Sequence, residues 1–133
     1  MFQVTMTEVP GIVDLLNLCF PDKRFNLVDV VHHLPTLIIA KEEDQVIACC
    51  WFKCTFTQKT AIAEIKNLCV HPDFRKKGYA TFMMKDACLD IGRLGVKKVL
   101  VECVEPDLFL RYGFKVVDQL PRSKTYLMTR ELV

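Results

Sequence analysis

The run Ala63-Glu64-Ile65-Lys66-Asn67-Leu68-Cys69-Val70-His71-Pro72-Asp73-Phe74-Arg75-Lys76-Lys77-Gly78-Tyr79-Ala80 changes character twice, and the fold is read from those changes. Residues 61–70 are rich in apolar and β-branched side chains and read as a strand. Residues 71–77 are polar. From Tyr79 to Leu94 the period becomes helical, with Phe82, Met83, Ala87 and Ile91 on one side, and Gly92 and Gly95 bracket the end. Residues 96–104 then read as a buried strand. Strand, helix and strand in this order make a crossover unit.

Before this unit, residues 36–41 are apolar, Glu42-Glu43-Asp44-Gln45 is a polar turn, and residues 46–57 form a long aromatic and β-branched run. Gln58-Lys59 makes the next turn. Connections this short predict an antiparallel meander leading into residues 61–70. Nearer the N-terminus, residues 2–6 alternate in character and predict a short strand. Thr7 reads as an N-cap before Val9, Ile12, Val13, Leu15, Leu16 and Cys19 at helical spacing, and Pro21 stops that helix. Residues 26–33 predict a second short helix with Leu27, Val30 and Val31 facing inward, and Pro35 closes it off. After the crossover, residues 107–112 predict a short helix ended by Gly113, with closing strands at 114–117 and 125–129. The sum is an α+β fold: a mixed central sheet of six or seven strands flanked by about four helices. No repeat, low-complexity tract or Pro/Gly-rich linker interrupts the 133 residues, so 1–133 are read as a single domain.

Composition narrows the function classes. Hydrophobic residues make up 51% and charged residues 26%, the balance of a chain that builds a core. No apolar run reaches the roughly 18 residues that span a bilayer, and the N-terminus lacks the pattern of a secretory signal, so a cytoplasmic location without membrane association is expected. The formal charge of +2 is too small to imply a nucleic-acid partner, although basic residues gather at 75–77, 97–98 and 122–124. The seven cysteines include no C-x-x-C pair, and the histidines are His32, His33 and His71. These spacings supply no zinc site, so no metal is expected, and the cysteines are read as buried reduced thiols.

An anion is best held at a helix N-terminus, where unpaired N–H groups and the positive end of the dipole converge. The chain must turn sharply from strand to helix there, and a glycine lets the backbone approach a phosphate. Gly78 and the small Ala80 meet that need, and Arg75, Lys76 and Lys77 add positive charge. The P-loop and dinucleotide fingerprints are both absent.

At this point the sequence resembles the GCN5-related N-acetyltransferase (GNAT) superfamily, whose acetyl-CoA motif is [RQ]-x-x-G-x-[GA] after the fourth strand. Leu68-Cys69-Val70-His71-Pro72-Asp73-Phe74-Arg75 is itself typical of the family, and Leu108-Phe109 with Tyr112-Gly113-Phe114 resembles its second landmark. The resemblance implies acetyl-CoA as co-substrate, with Arg75, Lys76, Lys77, Gly78, Tyr79, Ala80 and Thr81 around the pyrophosphate. It places the backbone of Leu68, Cys69 and Val70 along the pantetheine arm, an N–H near Leu68 on the acetyl carbonyl, and direct attack by an amine. Glu64 matches the position of the glutamate base in the histone acetyltransferase branch; a carboxylate on an apolar strand in a cleft would have its pKa raised toward neutrality. Many members carry a tyrosine general acid where this chain has Phe109, so Phe109 is counted only with the cofactor contacts. Tyr112 or solvent is left to protonate the thiolate. Cys69 lacks a partner that would make it a nucleophile, since His71 is held beside Pro72.

The same resemblance places the acceptor pocket among the first two helices, their loop and the last strands. Pro21-Asp22-Lys23-Arg24-Phe25 carries two cations and an aromatic, and Arg122 and Lys124 lie before the final strand. Such a site would favour carboxylates or phosphates. Residues 63–75, with Phe114-Lys115-Val116-Val117-Asp118-Gln119-Leu120-Pro121 and Lys124, are also similar to the acetyltransferase domain of N-acetylglutamate synthases. The acceptor is therefore expected to be a primary amine on a small metabolite or a protein. An amino-acid acetyltransferase, a non-catalytic acetyl-CoA-binding regulator and a homodimer stay open.

Overall fold

The computed structural model describes residues 4–132. The elements are α1 (Val9–Cys19), α2 (Leu27–Val31), β1 (Leu37–Glu42), β2 (Gln45–Phe56), β3 (Ala61–Val70), α3 (Tyr79–Arg93), β4 (Lys98–Cys103), α4 (Asp107–Arg111), β5 (Lys115–Leu120) and β6 (Thr125–Glu131). Short 3-10 turns precede α1, β1 and α3. The strands form one six-stranded sheet in the order β1-β2-β3-β4-β6-β5. β1 and β2 are antiparallel, and β3 and β4 pair in parallel from Ile62/Lys98 to Ile65/Val101, as the crossover requires. β6 runs antiparallel to both β4 and β5. The α+β class, the six strands and the four helices match the sequence reading. Among the described residues no helix is long and apolar enough to cross a membrane.

Chain contacts divide into two compact units. One holds the chain up to Trp51 together with Asn67–Ala87; the other holds Phe52–Lys66 and the chain from Cys88 onward. The core of the first gathers Val9, Ile12, Leu15 and Leu16 of α1, Val30 of α2, and Leu37, Ile39, Val46, Cys49, Trp51 and Cys69 of the strands. α1 comes close to β2 because residue 11 is glycine: a Cβ there would lie 3.2 Å from Cγ2 of Val46. From Val46 to Phe52, β2 is buried on both faces, as an inner strand of a covered sheet is. The second unit buries Ile91, Val96, Val99, Val101, Phe114 and Met128. Ile12 is fully buried. Ile12→Ala is expected to cost about 2–5 kcal/mol of unfolding free energy, read from the urea midpoint. A midpoint shift near zero would mean that this core tolerates a cavity there.

Several local expectations differ from the structure. Of the strand expected over 2–6, residues 2 and 3 lie outside the described residues, Val4 and Thr5 are irregular, and Met6 opens a 3-10 turn. The N-cap of α1 is Glu8 and not Thr7; Thr5 caps the preceding 3-10 turn, where its Oγ1 and N–H both donate to Glu8 Oε1, at 3.0 and 2.9 Å. Leu27 and Phe82, expected inward, are 53% and 52% exposed; Val30, Met83, Met84 and Ala87 take the buried positions. Each misplaced residue sits at the first turn of its helix, where a periodic pattern has the fewest neighbours to fix its phase.

Candidate functional site

The turn between β3 and α3 is built by local hydrogen bonds. His71 N–H donates to the Ile47 carbonyl at 2.7 Å, and its Nδ1 accepts from the Asp73 N–H at 3.1 Å. Arg75 Nε donates to the Val70 carbonyl at 3.0 Å, bracing the end of the strand against the start of the helix. Lys76 and Gly78 are both left-handed, with φ of 64° and 91°. Backbone reversals of this kind gather N–H groups into anion-binding hollows. A Cβ at Gly78 would meet nothing within 4 Å, so the angle demands glycine and the space above it is open. The first helical bond of α3 joins the Phe82 N–H to the Gly78 carbonyl at 3.0 Å. The N–H groups of Tyr79, Ala80 and Thr81 therefore precede the ladder. Gly78, Ala80 and Thr81 thus stand at the junction of the turn and the first turn of α3.

The side chains around the turn hold one another. Lys77 Nζ lies 5.5 Å from the centre of the Phe74 ring, and Tyr79 meets Phe74 edge-on at 6.4 Å. The Tyr79 hydroxyl donates to Glu42 Oε1. That bond raises the tyrosine pKa, with desolvation and the Glu42 charge adding to it. Nothing in the motif foretells Glu42, which stands at the far end of β1.

Beside the turn lie three thiols. Cys49 and Cys69 Sγ atoms are 3.6 Å apart, and Cys19 Sγ donates to the Val70 carbonyl at 3.6 Å. For Cys69, a hydrogen bond with Cys19 favours the thiolate, but the bond to Cys49 and burial outweigh it and push the pKa far up. The bond to Cys69 and burial likewise raise the Cys19 thiol, against the pull of Arg75. Cys69 is thus a thiol at neutral pH, as its reading as a packing residue requires. Its alkylation by iodoacetamide at pH 7.5 is expected to run at least about tenfold slower than that of an unperturbed thiol. Rapid modification with loss of activity would reverse that assignment.

In the same unit an open pocket of about 530 Å³ is lined by Lys23, Arg24 and Phe25 of the α1–α2 loop, Asp29 and His32 of α2 and its cap, and His33 and Trp51. The His33 imidazole stacks on the Trp51 indole with centroids 4.6 Å apart and 10° between planes. Phe25 meets the same indole edge-on at 6.3 Å. The His33 contact reaches across to β2, which periodicity cannot show. Arg122 and Lys124 belong to the other unit.

The other unit carries Glu64. Ala63 and Ile65 are buried, while Glu64 and Lys66 alternate to the opposite face of β3. The Glu64 side chain is 43% exposed, and Lys66 Nζ lies 3.9 Å from its Oε1. The apolar enclosure expected for this carboxylate is therefore not what surrounds it. Beyond Lys66, Asn67 adopts φ 54°, and the strict alternation gives way to two successive buried residues, Cys69 and Val70. That irregularity precedes Leu68, the residue assigned to the acetyl carbonyl. Phe109 is only 5% exposed and packs edge-on against Phe114 at 5.4 Å. Its place in α4 is accounted for by this core contact. Among the described residues, no group of three histidine, cysteine, aspartate or glutamate side chains is arranged to hold a metal ion.

A six-stranded mixed sheet with a glycine-marked turn from β3 into α3 defines an α+β class. The chain belongs to the GNAT acetyltransferase family, whose domain profile matches residues 34–116, more than half of its length. An uncharacterised N-acetyltransferase of Chlorobaculum tepidum is 30% identical over 91 residues, covering 68% of this chain; the match spans only 57% of that protein. Among solved structures, Rv2747 of Mycobacterium tuberculosis, in complex with CoA and NLQ, is similar with a TM-score of 0.84 at 16% identity, covering 99% of this chain and 98% of that one. N-acetylglutamate synthase of Neisseria gonorrhoeae, complexed with coenzyme A and N-acetylglutamate, gives 0.83 at 17%, covering 99% and 34%. Arabidopsis thaliana Naa50, with the bisubstrate analogue CoA-Ac-MVNAL, gives 0.81 at 12%, covering 98% and 97%. Likenesses at these identities speak for the fold alone.

Proposed function

We propose that residues 1–133 act as one acetyl-CoA-dependent N-acetyltransferase domain that moves the acetyl group to a primary amine by direct attack. The observation that carries this reading is the turn: left-handed Lys76 and Gly78 beneath open space, followed by the unladdered N–H groups of Tyr79, Ala80 and Thr81. In this reading those groups and Lys77 hold the pyrophosphate. Arg75 and the Tyr79 side chain position the turn through Val70 and Glu42. Val70's carbonyl is already engaged by Arg75 and Cys19, so the pantetheine falls to the backbone of Leu68 and Cys69, with the Leu68 N–H on the acetyl oxygen.

Glu64 removes the amine proton. Its exposure and the nearby Lys66 favour action through a water over direct contact. The proton for the departing thiolate comes from solvent, since Phe109 has no hydroxyl and is spent in the core. We place the protein in the cytoplasm, consistent with its seven free cysteines, and leave a homodimer as its assembly to be measured. Release of thiol from acetyl-CoA with a panel of amines, amino acids and lysine peptides tests the reading. Turnover with any member of the panel is expected. Acetyl-CoA binding without turnover would make the chain a non-catalytic regulator instead.

A further inference from the structure

We propose that the Lys23–Trp51 pocket recognises a carboxylate, so that the preferred acceptor is a free amino acid or another small carboxylate-bearing amine. The proposal deepens the acetyltransferase reading and rests on it for the word acceptor; the recognition itself does not.

Charge is the first argument. Lys23 and Arg24 line the pocket, and its one carboxylate, Asp29, is turned to other work: Asp29 Oδ2 accepts from the Asn26 N–H at 2.9 Å, as part of the α2 cap. The Asn26 side chain returns the bond to the Asp29 N–H, also at 2.9 Å. Lys23 Nζ is held 5.5 Å over the Phe20 ring, which orders the cation without neutralising it. Arg24 brings a planar fork suited to carboxylate oxygens. A polyamine or a basic peptide would meet like charge here.

The second argument is the pocket's lining. The volume of about 530 Å³ falls within the range of small-molecule sites, and the Phe25 and His33 rings wall the indole for an apolar ligand body.

Trp51 is the sole tryptophan of the chain, so its fluorescence reports on this pocket without needing turnover. The full chain, saturated with CoA, is titrated with amino acids, with their α-carboxamides, with spermidine and with a lysine peptide; calorimetry repeats each titration. Amino acids are expected to bind at least about tenfold more tightly than their carboxamides, the effect of one charge-assisted contact. In Arg24→Gln and Lys23→Gln that preference should shrink. Both side chains are exposed, and circular dichroism with CoA affinity checks that the fold is kept. Equal binding of acid and amide, an undiminished preference in both variants, binding only of spermidine or the peptide, or no binding by either method would overturn the proposal. Thiol release without a carboxylate preference would leave the enzyme reading standing and remove the pocket assignment. A carboxylate preference without thiol release would do the reverse.

Discussion

Glu64→Gln is expected to lower kcat at neutral pH by at least about tenfold, within the range that a positioned general base contributes, while the Kd for acetyl-CoA stays unchanged. The amine reaches the site as an ammonium and must lose a proton before its lone pair can attack the thioester. Glutamine keeps the shape of the side chain and its place on the face opposite Ala63 and Ile65, but it accepts no proton. The loss should therefore shrink as pH rises and free amine becomes available from solution. The competing role for Glu64 is to hold the ammonium without taking its proton. That role predicts a raised KM for the amine with kcat preserved, and the split between the two constants separates them. Lys66 supplies a second reading of the same chemistry. Its Nζ lies 3.9 Å from Oε1 and on the same face, so it orients the carboxylate at a contact that is more than one-third exposed and correspondingly weak. Unchanged turnover in Glu64→Gln would remove the carboxylate from the reaction altogether.

What the sequence discloses here depends on how far apart the interacting residues are. The crossover from β3 through α3 to β4 is legible because each element carries its own period and Gly78 marks the turn. The motif also yields the helix-start N–H groups, since a helix leaves its first donors unpaired whatever surrounds it. By contrast, Arg75 reads as a phosphate ligand in the motif, yet its Nε is committed to Val70, a partner five residues back that only the turn's shape brings near. His33 on Trp51 and Tyr79 on Glu42 join residues far apart in the chain, and no local pattern encodes either pair. Glu64 shows the limit most clearly. Its alternation onto the non-core face of β3 follows from a period of two, but whether that face is enclosed or wet is a property of the neighbouring elements. The strand's own composition suggests an apolar cleft, but composition describes only the strand.

Gly78→Val is expected to raise the Kd for acetyl-CoA by about 10–100-fold, the worth of one or two lost charge-assisted hydrogen bonds. It should lower thermal stability by only a few degrees. The two effects separate because they have different causes. With φ at 91°, a β-branched residue pays a backbone penalty of about 1–2 kcal/mol or more for leaving its allowed region. Its Cβ meets no atom of the protein within 4 Å, so packing adds nothing to that cost. The open space into which it projects is where the pyrophosphate would approach the N–H groups of the helix start, and the side chain blocks it. Gly95 provides the control. It has φ 82° and equally open surroundings, but it stands past the C-terminal end of α3, at the opposite end of that helix in the chain. Gly95→Val should destabilise the protein to a similar degree and leave acetyl-CoA affinity unchanged. If both variants weaken binding equally, strain in α3 is the cause and the turn is not the phosphate site. If neither does, the backbone of residues 76–81 makes no essential contact with the cofactor.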